Sequence, residues 1–455
     1  MTAEAALSIV NIVPAFVRRR IAHRPNLVKI VDNMGWLFFD KVLRMGVGLL
    51  VGVWVARYLG PEQFGLFSFA SAFVSMFGAV AGLGLQSIVV RDMVRDPLCK
   101  EETLGTAAVM QLFGGLLAYG CLMGTFLWLR PDDGLAKLLV VILGSIMLFK
   151  FSDVALYWFE SQVMSKYIVW VQTGCFLVFA AIKVGLIVSN APLIAFAWAT
   201  AAEALVVAVL ILFMLGLRSP KLEKLRFSLL RAKTLLLDSW PLLLSGMAVM
   251  VYMKIDQIML GQMLGDDAVG IYSAALRISE VWYFIPMLIV ASVSPAILEA
   301  KKRDEALYLQ RLQRLYDLMV WLSLVVALPM TFLSTPFLVV LFGSAYAESG
   351  PVLAIHIWAS VFVFLGVASG QWFIAEKRQI LIFQRTLLGA VINVALNFIL
   401  IPKFGGVGAA LATVLSQASV CLLYDLFQNE TQPMFYMKLN SFNPLHLKAY
   451  FYKNE

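Results

Sequence analysis

Apolar residues recur along this chain in unbroken runs of about twenty, and a chain built that way has few options. A helix crossing the roughly 30 Å of a bilayer's hydrocarbon needs about 20 mostly apolar residues. Runs of that kind fall near 36–59, 65–90, 106–129, 136–159, 167–189, 193–217, 240–262, 268–297, 316–341, 351–375, 380–401 and 404–427. Within lipid, backbone polar groups must be satisfied internally, which leaves helices or closed barrels. Barrel strands alternate in polarity over about ten residues, and these runs do not. The reading is therefore an all-α polytopic membrane protein of about twelve transmembrane helices. Pro329 and Pro336 leave open whether 316–341 is one kinked helix or two segments.

Composition closes the remaining alternatives. The chain is 61% hydrophobic and 14% charged, against about 45–50% and 25% in soluble domains. Its 13% aromatic content excludes a disordered chain. Cys99, Cys121, Cys175 and Cys421 are widely spaced and form no metal pattern with the three histidines.

Lys and Arg set the expected orientation, because they accumulate on the cytoplasmic side. They cluster at Arg18, Arg19, Arg20, Arg24 and Lys29, at Arg91, Arg95 and Lys100, along 218–233, and at Lys301, Lys302, Arg303, Arg311 and Arg314. The opposite connections carry almost none beyond Arg130, Lys137 and Lys403. Both termini are thus expected in the cytoplasm, and the basic balance carries no implication of nucleic acid. The apolar stretch 5–17 holds Pro14 and precedes its basic cluster, so it reads as a loose tail, or else an interfacial helix, and not as a cleavable signal.

A shift of 205 residues brings the sequence onto itself. Leu59-Gly60, Gly65, Ser68 and Ala70 meet Leu264-Gly265, Gly270, Ser273 and Ala275, while Phe67 meets Tyr272 and Ser87 meets Ser292. Both copies join the first and second helices of a six-helix block. An even number of helices keeps the copies parallel, as in transporters whose halves are related along the membrane normal. The expected organisation is an N-terminal tail 1–34, a six-helix lobe 35–217, a basic linker 218–238, a second six-helix lobe 239–427 and a C-terminal tail 428–455.

Charges fall inside these apolar runs: Asp40, Lys41, Arg44, Lys150, Asp153, Lys183, Glu203, Lys254, Asp256, Arg277, Glu280 and Arg385. Each costs about 2.5–3.5 kcal/mol at mid-membrane on insertion scales, so most must face a bundle interior or a hydrated cavity. Lys41, Arg57, Lys183 and Arg385 lie near helix ends and can snorkel. Asp40–Arg44, Lys150–Asp153 and Arg277–Glu280 are spaced to pair on one helix face, as structural bridges or as parts of a site. Lys254 and Asp256, about 200° apart, need separate surroundings. Glu203 has no local cation and is either protonated or paired across helices. The repeat keeps the glycines but not the charges: Arg277, Lys254 and Asp256 meet Ala72, Leu49 and Val51. Arg44, Lys150, Lys254 and Arg277 could therefore line a cationic cavity for an anion such as phosphate or pyrophosphate. Gly46, Gly48 and Gly52, with Pro286, suit close packing or a hinge.

Val55-Ala-Arg-Tyr-Leu-Gly-Pro-Glu-Gln-Phe-Gly65 resembles the first helix junction of the polysaccharide transporters, the Wzx-type flippases of lipid-linked oligosaccharides. Arg91-Asp92, Leu388-Gly-Ala-Val-Ile-Asn-Val-Ala-Leu-Asn397 leading into Ile401-Pro-Lys-Phe-Gly405, and Gly408-Ala-Ala-Leu-Ala-Thr413 are similar to later parts of that family. The resemblance implies the multidrug/oligosaccharidyl-lipid/polysaccharide exporter fold, two lobes around a central cavity. It implies a polyprenyl-pyrophosphate-linked oligosaccharide as substrate, flipped from the cytoplasmic to the periplasmic leaflet of a bacterial inner membrane by alternating access. A polysaccharide polymerase and a chain-length regulator are the partners it suggests. Related peptidoglycan-precursor flippases carry cavity arginines in the first, second and eighth helices; Arg44 and Arg277 fit the first and eighth, while the second helix lacks a cation.

On this reading Arg44, Lys254 and Arg277 hold the pyrophosphate. Asp153, Glu203 and Asp256 are candidates for coupling to H⁺ or Na⁺, with Asp40, Lys41 and Glu280 as supporting charges. No other cofactor is expected. Trp158, Gln172, Gln371 and Trp372 are guesses for sugar contacts. The alternatives are a cation-coupled drug exporter of the same fold, or a membrane polysaccharide polymerase or ligase. The outside loops hold no Ser/His/Asp set, and no phosphate-binding loop occurs. A transporter, not an enzyme, is expected.

Overall fold

The computed structural model describes residues 25–219 and 225–443, and every regular element among them is a helix. The apolar stretch 5–17, the cluster Arg18, Arg19, Arg20 and Arg24, Lys221 and Lys224 of the linker, and the tail beyond 443 lie outside the described residues.

Among the described residues, ten helices are long and apolar enough to cross a membrane. Two of them, Asp32–Arg95 and Ile380–Phe427, run 64 and 48 residues. At 1.5 Å per residue these lengths far exceed one crossing. Each contains a glycine with non-helical backbone, Gly60 (φ 73°, ψ 170°) and Gly405 (φ 58°, ψ −135°). Divided there, each supplies two crossings and the ten become twelve, as the apolar runs predict. The stretch with Pro329 and Pro336 is a single helix, Glu305–Phe342.

Four crossings are broken among the described residues. The second breaks at Leu83 and Gly84, both with positive φ (52° and 64°). The fourth runs Gly134–Gly144, passes through a 3₁₀ stretch Ser145–Ser152 and resumes as Asp153–Ser161. The tenth breaks between Ser349–His356 and Ala359–Ala375, the position that the 205-residue shift equates with the fourth. The eighth breaks at Val281–Tyr283, ahead of Pro286, which has no N–H to give to the carbonyl of Trp282.

By contact the chain forms two compact units. Among the described residues, one comprises those up to Val55 with those from Phe73 to Met247, and the other comprises Ala56–Ala72 with those from Ala248 onward. The division thus cuts through the helix Leu229–Met263 and does not follow the linker.

Two glycine contacts explain why Ala56–Ala72 groups with the second unit. A Cβ on Gly65 would lie 1.7 Å from the carbonyl oxygen of Asp266, and one on Gly270 would lie 1.9 Å from that of Pro61. Positions 65 and 270, like 61 and 266, are equivalent in the repeat. The two contacts are therefore one contact made twice, with each helix start packed on the backbone of the other. Gly60 and Gly265 precede them with matching backbone (φ 73°, ψ 170°; φ 92°, ψ 179°) that disfavours a side chain.

The second unit also takes up part of the C-terminal tail. The helix Gln432–Asn440 packs on Glu305–Phe342, burying Met434, and the Gln313 amide donates to the Met437 carbonyl at 2.9 Å. Lys438 is fully buried 2.5 Å from Asp425 and donates to the carbonyl of Cys421 at 3.0 Å. Arg385, 5% exposed, donates to the neighbouring carbonyl of Val420 at 3.2 Å. Both carbonyls belong to a π-helical turn, Ser419–Leu423. Arg385 thus does not snorkel: it is turned inward onto a distorted backbone and lies 3.9 Å from Asp425. Lys438→Met should lower stability by about 3–5 kcal/mol, because it leaves a buried carboxylate short of its closest cation. Adding Asp425→Leu should recover most of that loss. Thermal unfolding in detergent checks both, and an unchanged midpoint for the single variant would refute the claim.

Candidate functional site

In the first unit, a cavity of about 390 Å³ is lined by Arg44, Lys150, Asp153, Gln172, Thr200 and Glu203 against an apolar wall that includes Phe149 and Val207. The 3₁₀ stretch builds one side of it. With three residues per turn, positions i and i+3 stack directly, and Lys150 sits 3.0 Å from Asp153. Glu203 is paired across helices, 3.0 Å from Lys183. Lys183 is therefore an ion-pair partner and does not reach for water. Arg44 donates to Gln172 Oε1 at 3.3 Å, lies 4.0 Å from Asp40 and covers the ring of Phe176 at 5.3 Å. Asp40 also accepts from the hydroxyl of Thr173. Lys41 is exposed.

The charges of the second unit are arranged differently. Asp256 is buried and accepts from three neutral donors on three helices: Tyr272 at 2.8 Å, Asn397 at 2.6 Å, and the hydroxyl of Thr413. Asn393 extends the set, with its Oδ1 accepting from Asn397 at 3.0 Å. No cation lies within 4 Å of Asp256 among the described residues. Lys254, two residues earlier, points elsewhere and makes no hydrogen bond or ion pair among the described residues.

Arg277 is likewise without a hydrogen bond or ion pair among the described residues, and its guanidinium lies over the ring of Phe64 at 5.4 Å. The i,i+3 pair expected with Glu280 does not form, because the arginine turns onto the aromatic face. Glu280 interacts electrostatically with Lys254 and Arg277 without bonding to either. His356, which no sequence pattern singles out, shares a hydrogen bond of 2.9 Å with Ser279 nearby.

The sequence-derived residues thus fall into two groups. Asp40, Arg44, Lys150, Asp153 and Glu203 gather in the first unit, and Lys254, Asp256, Arg277 and Glu280 in the second. Of the guessed sugar contacts, Gln172 lines the cavity. Trp372 is packed in an apolar core, Gln371 accepts from Ser294 at 2.5 Å, and Trp158 stacks edge-on with Phe159. Sequence reasoning missed the neutral donors. A signal existed at Tyr272, whose repeat equivalent Phe67 lacks the hydroxyl.

Residues 30–301 match the family described as polysaccharide biosynthesis protein, and residues 241–399 match the MatE family. The chain belongs to the polysaccharide biosynthesis protein family. It is 26% identical to the probable flippase AglR of Haloferax volcanii over 413 residues, 86% of this chain and 81% of that one. It is 20% identical to the capsular polysaccharide biosynthesis protein CapF of Staphylococcus aureus, over 88% of this chain and 99% of that one. Its fold is similar to that of the lipid II flippase MurJ in an inward closed conformation, with a TM-score of 0.69 at 16% identity, covering 89% and 90% of the two chains. With ten helices among its described residues long and apolar enough to cross a membrane, this family member is a multi-pass membrane protein.

Proposed function

We propose that this protein flips a polyprenyl-pyrophosphate-linked oligosaccharide repeat unit from the cytoplasmic to the periplasmic leaflet of a bacterial inner membrane, by alternating access, for O-antigen or exopolysaccharide assembly. Both termini are cytoplasmic on this reading, and a polymerase and a chain-length regulator act downstream. The observation that carries it is Arg277 and Lys254, cations within membrane crossings that make no hydrogen bond or ion pair among the described residues. Holding a charge there without a bonded counter-ion is costly, and an anionic ligand offsets that cost. A pyrophosphate supplies two charged groups that an Arg fork and a Lys bind through charge-assisted hydrogen bonds. The polyprenyl tail stays in lipid throughout.

A drug exporter of the same fold would need free acids for cationic substrates. Here Asp153 and Glu203 are bridged to lysines and Asp256 is closed in by three neutral hydrogen-bond donors, while Arg277 and Lys254 have no carboxylate bonded to them. The direct test is transport of a fluorescent polyprenyl-pyrophosphate glycolipid by proteoliposomes of the purified protein. Flipping of that lipid alongside indifference to cationic dyes is expected. The reverse pattern would overturn the proposal.

An inside-negative potential favours outward movement of an anion by about 2.3 kcal/mol per charge per 100 mV. Cations that move with the substrate cancel that help, which gives a coupled ion a role. Among the three candidate carboxylates, Asp256 is suited to it, since it is buried among neutral oxygen and amide groups and can take up H⁺ or Na⁺ without first breaking an ion pair. Asp256→Asn should leave exchange at equilibrium intact while abolishing acceleration by an imposed H⁺ or Na⁺ gradient. A variant that still responds to the gradient would remove Asp256 from this role.

A further inference from the structure

We infer that the cavity of the first unit seats a sugar of the glycan and not its pyrophosphate; the inference rests on the flippase reading. Charge balance is the reason. Arg44, Lys150 and Lys183 are matched by Asp40, Asp153 and Glu203, three cations against three carboxylates, with Lys150–Asp153 and Lys183–Glu203 both closed at 3.0 Å. An incoming pyrophosphate would gain a cation there only by breaking a bridge and stranding a carboxylate beside itself. A neutral polyol meets no such penalty.

The groups left open suit hydroxyls. A carboxylate accepts at about four lone-pair sites, so Asp153 and Glu203 keep acceptors beyond their bridges. Gln172 gives its oxygen to Arg44, and its NH₂ makes no hydrogen bond among the described residues. Thr200 donates to the carbonyl of Phe196 at 2.9 Å and retains its acceptor sites. A sugar ring carries alternating O–H groups on its rim and C–H groups on its faces. The cavity is lined both by donors and acceptors and by apolar side chains, Phe149 and Val207 among them. Its volume, about 390 Å³, is at the small end of the roughly 300–1,000 Å³ typical of small-molecule sites, which suits a sugar and not a whole repeat unit. The second unit, where Arg277 and Lys254 have no carboxylate bonded to them, is then left to the pyrophosphate.

The test compares two probes on the full-length protein in nanodiscs: farnesyl pyrophosphate, which has no sugar, and the host's repeat unit on its polyprenyl carrier, extracted from a strain lacking this gene. Gln172→Ala and Thr200→Val are the variants, since neither breaks an ion pair and the second is nearly isosteric. Both should bind farnesyl pyrophosphate as wild type does and bind the glycolipid roughly tenfold more weakly. Arg277→Ala should weaken both probes. Equal weakening of both probes by Gln172→Ala and Thr200→Val, or no weakening of either, would overturn the sugar seat while leaving the flippase reading standing. A wild-type protein that binds neither probe would overturn that reading, and this inference with it.

Discussion

Arg277→Ala should reduce transport of lipid-linked glycan by roughly 30-fold to several thousand-fold, with the protein folded and inserted. Truncating one partner of a buried, hydrogen-bonded charge pair costs about 2–5 kcal/mol, and about 1.4 kcal/mol is tenfold. Arg277 makes no hydrogen bond or ion pair among the described residues, so under the flippase proposal its charged partner is the substrate, and the loss falls mainly on function. Arg277→Lys should lie between wild type and the alanine variant, since the charge remains but the planar fork and its stacking on Phe64 do not. Arg303→Ala is the control: that side chain is exposed and bridged to Glu299 within its own helix, a pair of little net worth. Rates in proteoliposomes at matched reconstitution, with unfolding midpoints beside them, separate the cases. An Arg277→Ala variant within twofold of wild type would place the anion elsewhere.

Gly65→Ala and Gly270→Ala should do the opposite, removing folded protein whatever the substrate. Ordinary overpacking costs about 1–3 kcal/mol. Here a methyl group would stand 1.7 Å or 1.9 Å from a backbone oxygen that belongs to a helix start and cannot rotate away. The expected loss exceeds that range, a large part of the roughly 5–15 kcal/mol that holds a native protein together. Since the two contacts are equivalent, the two variants should fail alike and the double variant little worse. Gly46→Ala, with nothing within 4 Å of the new methyl, should be neutral or slightly stabilising through helix propensity. Yield and thermal midpoint after solubilisation check all four. Normal folding of Gly270→Ala would mean that the helix starts do not pack as described.

These two outcomes also mark what was legible in the sequence. The twelve crossings could be read because about 20 apolar residues in a row have few fates. The glycines at that contact could be singled out because a repeat keeps what its backbone requires: Gly60 and Gly65 have their copies at Gly265 and Gly270; that the two helix starts pack on each other came only from the structure. Asp256 and Arg277 could be singled out because the repeat does not keep them. What the sequence could not show is which charges neutralise one another. Spacing suggested Arg277–Glu280, but the guanidinium lies over Phe64. Glu203 had no neighbour in sequence and found Lys183, twenty positions away. Asp425 and Lys438 lay at and beyond the last apolar run, and only the docking of a short C-terminal helix brings them together. The neutral groups around Asp256 were hidden for a similar reason, since Tyr272, Asn397 and Thr413 come from separate helices and look like ordinary membrane residues.

The most direct test of the flippase proposal is chemical analysis of lipid-linked glycan in cells lacking this gene, with leaflet assignment in spheroplasts. A single repeat unit on polyprenyl pyrophosphate should accumulate in the inner leaflet, cleared by the wild-type gene and not by one encoding Arg277→Ala. Unpolymerised repeat units reaching the outer leaflet at the normal rate without the gene would contradict it.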